Sequence, residues 1–155
     1  SRMILSYIYT ITGRYKLAEF ELGSLLDAGY ESAQVYSAFG FVSFESGKID
    51  DALAYLDKAL VLDPDNVNAM NSLGYVLAEN GRDLEKALSL CSTAVERRPE
   101  NPAYQDSLGW VYYRLGRISE ARALLRKALS TSGGNKAIAG HMKAALTALP
   151  ASDDG

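Results

Sequence analysis

The sequence predicts an all-α protein built as an array of antiparallel helix pairs. Three observations carry that prediction. Glycines recur at Gly13, Gly47, Gly81 and Gly116, spaced 34, 34 and 35 residues, with a second series at Gly40, Gly74 and Gly109. Alanines recur in phase at Ala18, Ala52, Ala87 and Ala121, and again at Ala59, Ala94 and Ala128, while Pro64 is matched by Pro99. Within each period the apolar spacing is helical: Leu108, Val111, Tyr112 and Leu115 share one face before Gly116 stops the helix. Self-similarity at a fixed period of this length is the signature of a repeat architecture.

Taken in order, the units read as 1–32, 33–66, 67–101 and 102–135. Each holds two helices joined at the first glycine. In the last unit a helix from Asn101 to Leu115 is followed by one from about Ser119 to Thr131, with Ala121, Leu124, Leu125, Ala128 and Leu129 on one face. Gly133-Gly134 ends it. The step from glycine to alanine is five residues in three units and six in Gly81–Ala87, so one inserted residue sits in the turn 82–86. Gly40, Gly74 and Gly109 let facing helices approach closely. Segment 136–149 reads as a capping helix with the stripe Ile138, Met142, Ala145, Leu146 and Leu149, ended by Pro150, since a solenoid needs its last open face covered. The array as a whole is expected over 1–149, with residues 150–155 as a disordered tail.

Composition agrees and narrows the function. The chain has 155 residues, 48% apolar and 23% charged, with net charge −3. That balance supplies a sizeable core and no global basic excess for nucleic acid or an anionic membrane. No apolar run reaches the ~18 residues that a bilayer span requires, so direct membrane insertion is not expected. Four prolines leave long stretches free for helix. One cysteine, Cys91, and one histidine, His141, exclude a disulfide framework and multi-histidine or cysteine metal sites. No phosphate-binding glycine loop, nucleophile elbow or nucleophile–base pair is present, so catalysis and cofactors are not expected. The start Ser1-Arg2-Met3 reads as that of a mature or excised fragment.

The recurring residues resemble the tetratricopeptide repeat family. Unit three carries Leu73-Gly74, Gly81, Ala87, Ala94 and Pro99; unit four carries Leu108-Gly109, Tyr112, Gly116, Ala121, Leu125 and Ala128. Unit two has Phe39-Gly40, Gly47, Ala52, Leu56, Ala59 and Pro64. Unit one departs from the pattern, with Ser6 in place of the glycine and Leu25 in place of an alanine. The run 106–116 looks like bacterial tetratricopeptide proteins, many of them associated with the cell envelope. Cytoplasm and periplasm both stay open. The resemblance implies a right-handed superhelix whose first helices line a concave groove that binds proteins or peptides without doing chemistry. One subset of the family grips acidic tails through basic side chains; the matching positions here are Met3, Tyr7, Ala38, Asn68 and Ser72, none basic, so that clamp is absent.

The groove expectation rests on an aromatic series. Tyr7, Phe41, Tyr75 and Trp110 occupy equivalent positions of the first helices, and Phe44 and Tyr113 lie three residues after two of them, on the same face. Tyr and Trp offer large contact area with a hydrogen-bonding tip. Asn68, Asn71, Asp106 and Arg114 accompany them as polar candidates. The competing reading is that the rings only pack between neighbouring first helices. Charge is uneven: residues 19–66 hold ten acids against two lysines, net −8, and residues 114–143 hold seven bases against one acid, net +6. Head-to-tail self-association, or continuation of a longer array, is therefore the alternative to a partner-binding scaffold. Nothing resembles a nucleic-acid reading motif. Cys91 is expected in the core, and His141 on the surface.

Overall fold

The structure, a computed structural model, describes residues 1–148. Among these there are nine helices and no strand: α1 (Arg2–Ile11), α2 (Tyr15–Asp27), α3 (Ala33–Glu45), α4 (Ile49–Leu62), α5 (Val67–Glu79), α6 (Leu84–Arg97), α7 (Pro102–Arg114), α8 (Ile118–Thr131) and α9 (Lys136–Thr147). The expected tail, with Leu149 and Pro150, lies outside the described residues. The chain divides into two compact units, residues 1–76 and residues from 77 on.

Every hairpin closes with the same hydrogen-bonded turn. After α1, the Gly13 N–H donates to Thr10 and the Arg14 N–H to Tyr9; after α3, Gly47 donates to Phe44 and Lys48 to Ser43. The turns at Gly81 and Gly116 repeat the pair. This is a Schellman closure, which needs a left-handed residue, and the four glycines have φ of +76, +83, +64 and +80°. In three hairpins the residue after the glycine, Arg14, Lys48 or Arg117, starts the second helix with no side-chain cap. In the third, the inserted residue is Asp83. Its φ is +42°, and its carboxylate accepts from the Lys86 N–H at 3.2 Å, capping α6. The insertion is absorbed in the turn and turned into a cap. First helices are capped differently, by Ser32 on α3, Asn66 on α5 and Asn101 on α7, with Pro102 in the opening turn of α7.

The recurring small residues are where helices touch. Ala18, Ala52, Ala59, Ala87, Ala94, Ala121 and Ala128 are fully buried. A methyl on Gly40 would stand 2.7 Å from Leu56 Cγ, and one on Gly109 would stand 2.8 Å from Leu125 Cγ. The period therefore records the contact line between paired helices. In the first unit, Ala18 and Leu22 of α2 pack with Val35, Phe39 and Val42 of α3. In the second, Ala121 and Leu125 of α8 pack with Ala145 of α9. Cys91 is fully buried within α6, and desolvation pushes its thiol up to about 12, so it is an inert core residue.

Candidate functional site

Within residues 1–76 the first helices frame an open groove of about 510 Å3, lined by Met3, Ser6, Tyr7 and Thr10 of α1, Gln34, Ser37, Ala38 and Phe41 of α3, and Asn66, Asn68 and Ser72 at the start of α5. The volume falls in the ~300–1,000 Å3 range of ligand clefts. The Tyr7 and Phe41 rings stack with centroids 6.0 Å apart and an interplanar angle of 20°. Tyr7 remains 57% exposed. Ser6 and Thr10 are buried with their hydroxyls already donating, Ser6 Oγ to the Met3 carbonyl at 2.8 Å and Thr10 Oγ1 to the Ser6 carbonyl at 2.7 Å. Asn66 uses its Oδ1 to accept the Ala69 N–H at 2.9 Å, which leaves the amide NH2 as its remaining polar end. Ser37 Oγ is buried and has no hydrogen-bond partner among the described residues. No Lys, Arg, His, Asp or Glu lines this groove.

A smaller recess adjoins it. Gln34 and Asn66 belong to both, and the recess adds Glu31, Ser32, Ala33, Leu62 and Asp63. Two carboxylates therefore stand beside one end of an uncharged trough. Glu31 is shared with Lys58 Nζ at 3.6 Å and accepts from the Tyr36 hydroxyl at 2.8 Å. Lys58, over the Tyr36 ring, is held above its ordinary pKa, chiefly by its interactions with Tyr36.

The candidate residues read from the sequence separate into distinct places. Tyr7, Phe41 and Asn68 meet in the groove. Phe44 and Tyr75 are half-buried and meet edge to face at 5.9 Å, a second ring contact between first helices. Asn71 is half-buried and lies outside the groove lining. In the second unit, Trp110 corrects the expectation of an open ring. It is 9% exposed, stacked against Tyr113 at 4.7 Å and against His141 at 4.3 Å. The surface placement of His141 is corrected with it: His141 is half-buried, and its Nδ1 donates to Asp106 Oδ1 at 2.7 Å. Arg114 is exposed and reaches to 3.1 Å from where a Gly81 side chain would begin.

Sequence reasoning missed Ser6, Thr10, Gln34, Ser37 and Asn66 as groove residues, although their helix spacing from Tyr7 and Phe41 already places most of them on the same face. It also missed the Asp106–His141 pair. The signal was the period itself: Ser37, Asn71, Asp106 and His141 are spaced 34, 35 and 35. α9 thus stands in the register of a fifth first helix, which is how it brings His141 onto Trp110. Among the described residues no three His, Cys, Asp or Glu side chains gather as a metal site, and no helix is long and apolar enough to cross a membrane.

Helix hairpins closed by repeated turns, with an open trough along the first helices of residues 1–76, define a helical repeat array. The chain belongs to the tetratricopeptide repeat family: two tetratricopeptide repeat models match it, over residues 43–102 and 81–146. It is 40% identical over 81 residues to TPR repeat-containing protein PA4667 of Pseudomonas aeruginosa, a match covering 50% of this chain and 14% of that protein. The chain thus spans a small part of that relative's length. Its fold matches TTC0263, a thermophilic TPR protein of Thermus thermophilus, with a TM-score of 0.78, 20% identity, and coverage of 94% of this chain and 80% of that one. It also matches YrrB, described as a TPR protein with an unusual peptide-binding site, with a TM-score of 0.69, 26% identity, and coverage of 89% and 70%.

Proposed function

We propose that this chain is a non-catalytic interaction scaffold that holds a segment of a partner protein in the groove framed by α1, α3 and the start of α5. The observation that carries the reading is the pairing of the stacked Tyr7–Phe41 platform, its Tyr7 ring exposed, with the side-chain amides of Gln34, Asn66 and Asn68 along the same groove. Burial of rings supplies contact energy, and the polar atoms set register. YrrB, similar over most of this chain, carries a peptide-binding site by its own description, which supports the reading by likeness. The test is capture of partners from a bacterial lysate on the chain and on its Tyr7→Ala/Phe41→Ala variant. Partners held by the first and lost from the second support the groove; equal capture of the same partners by both overturns it.

A second reading, a structural unit that stacks on a copy of itself or on further helix pairs, is favoured by one observation. Ile4, Ile8 and Ile11 of α1 are 61, 44 and 57% exposed, and Leu17 and Phe20 of α2 are 46 and 66% exposed. One period later the residues equivalent to Leu5 and Ile8 are Phe39 and Val42, both buried against Ala18 and Leu22. The α1 face is thus the kind that a second helix covers elsewhere in the chain. Light scattering across a wide concentration range tests it. Mass rising with concentration, and held at monomer by Ile8→Glu, supports stacking; a monomer throughout overturns self-association.

A further inference from the structure

We infer that the groove selects an extended segment with an uncharged, aromatic or aliphatic centre and a basic residue at the end lying beside Gln34 and Asn66. The inference deepens the groove reading above and rests on it.

The first argument is what the trough omits. In a chain where 23% of residues are charged, the groove lining contains no Lys, Arg, His, Asp or Glu. A ligand carboxylate buried there would lose its water and meet no countercharge, and an unpaired buried charge is strongly disfavoured. Neutral amides and hydroxyls suit a peptide main chain, which offers an N–H and a C=O at each residue. The groove has both halves of that match. Ser6 and Thr10, buried and with their protons spent internally, form its neutral floor. The leftover Asn66 NH2 donates, and the exposed side-chain amides of Gln34 and Asn68 can do both. An apolar ligand side chain would then lie on the Tyr7–Phe41 pair.

The second argument is independent and concerns the flank. Asp63 and Glu31 line the recess that shares Gln34 and Asn66 with the groove; Lys58 pairs with Glu31, so the net negative charge there rests on Asp63. Both acids belong to a stretch, residues 19–66, of net charge −8. That field attracts a cation and repels an anion at that end of the bound segment. A charge at the rim acts mainly through salt-sensitive attraction, whereas the centre is held by contacts that salt leaves alone.

The experiment is selection of a random peptide library, acetylated and amidated so that no terminal charge intervenes, on the whole chain. The expected winners have an aromatic or branched aliphatic centre, Lys or Arg to one side, and few Asp or Glu. Phe41→Ala weakens them about tenfold or more. Asp63→Asn weakens them a few-fold at low salt and leaves a variant peptide lacking the basic residue unaffected. Winners rich in Asp or Glu that still depend on Phe41 would overturn the charge selection while leaving the groove reading in place. Winners indifferent to Phe41, or none at all, would overturn both.

Discussion

Tyr7 and Trp110 stand at equivalent points of the repeat, yet Tyr7 is 57% exposed and Trp110 is 9% exposed. Both rings stack on an aromatic neighbour, Tyr7 on Phe41 and Trp110 on Tyr113. The difference comes from the next first helix along. For Trp110 that helix is α9, which brings His141 face to face with the indole and ties it to Asp106. For Tyr7 it is α3, which brings Phe41 against one side and leaves the phenol standing over the groove. One repeat position is thus closed off in one unit and open to solvent in the other. An aromatic at a groove position acquires its role from its neighbour, not from its own helix.

The sharpest way to break that comparison is to truncate both rings. Trp110→Ala should lower folding stability by about 3–5 kcal/mol, as removal of a buried aromatic does. Tyr7→Ala should change it by about 1 kcal/mol or less, roughly what a partly exposed ring pair contributes. Urea unfolding of the two variants measures both, and equal losses would erase the distinction. Next in size are the close approaches common to both units. Gly40→Ala and Gly109→Ala each press a methyl into a leucine, and each should lose about 1–3 kcal/mol by the same measurement. His141→Ala removes one charge-assisted contact and one stacked face from the closed cluster. It should lower stability by about 1 kcal/mol and raise indole quenching by acrylamide. The smallest effect belongs to Asp83→Gly. Glycine takes the +42° backbone without strain while the side-chain cap to α6 is lost, so thermal unfolding should shift by a few tenths of a kcal/mol.

The helix pairs were legible because glycine and alanine sit where the backbone has no alternative. Gly13, Gly47, Gly81 and Gly116 are demanded by left-handed closures, while Gly40 and Gly109 leave room for Leu56 and Leu125. The inserted residue was legible as a break in register, and its conversion into a cap was not, since that depends on the dihedral angles of Asp83. Tyr7 and Phe41 were legible as a face. Which of their polar neighbours reach the groove was not, because the burial of Ser37 and the use of Asn66 Oδ1 as a cap are decided by packing and capping. The burial of Trp110 stayed hidden for a related reason: helix periodicity describes one helix at a time, and the indole is covered by another.

Cys91 has a practical consequence of its own. Its sulfur lies wholly inside the protein, and its proton is held to about pH 12. A thiol reagent can reach it only when α6 transiently comes away from its neighbours. The rate at which the native chain takes up a single label is therefore a clock for that opening, built in without any engineering.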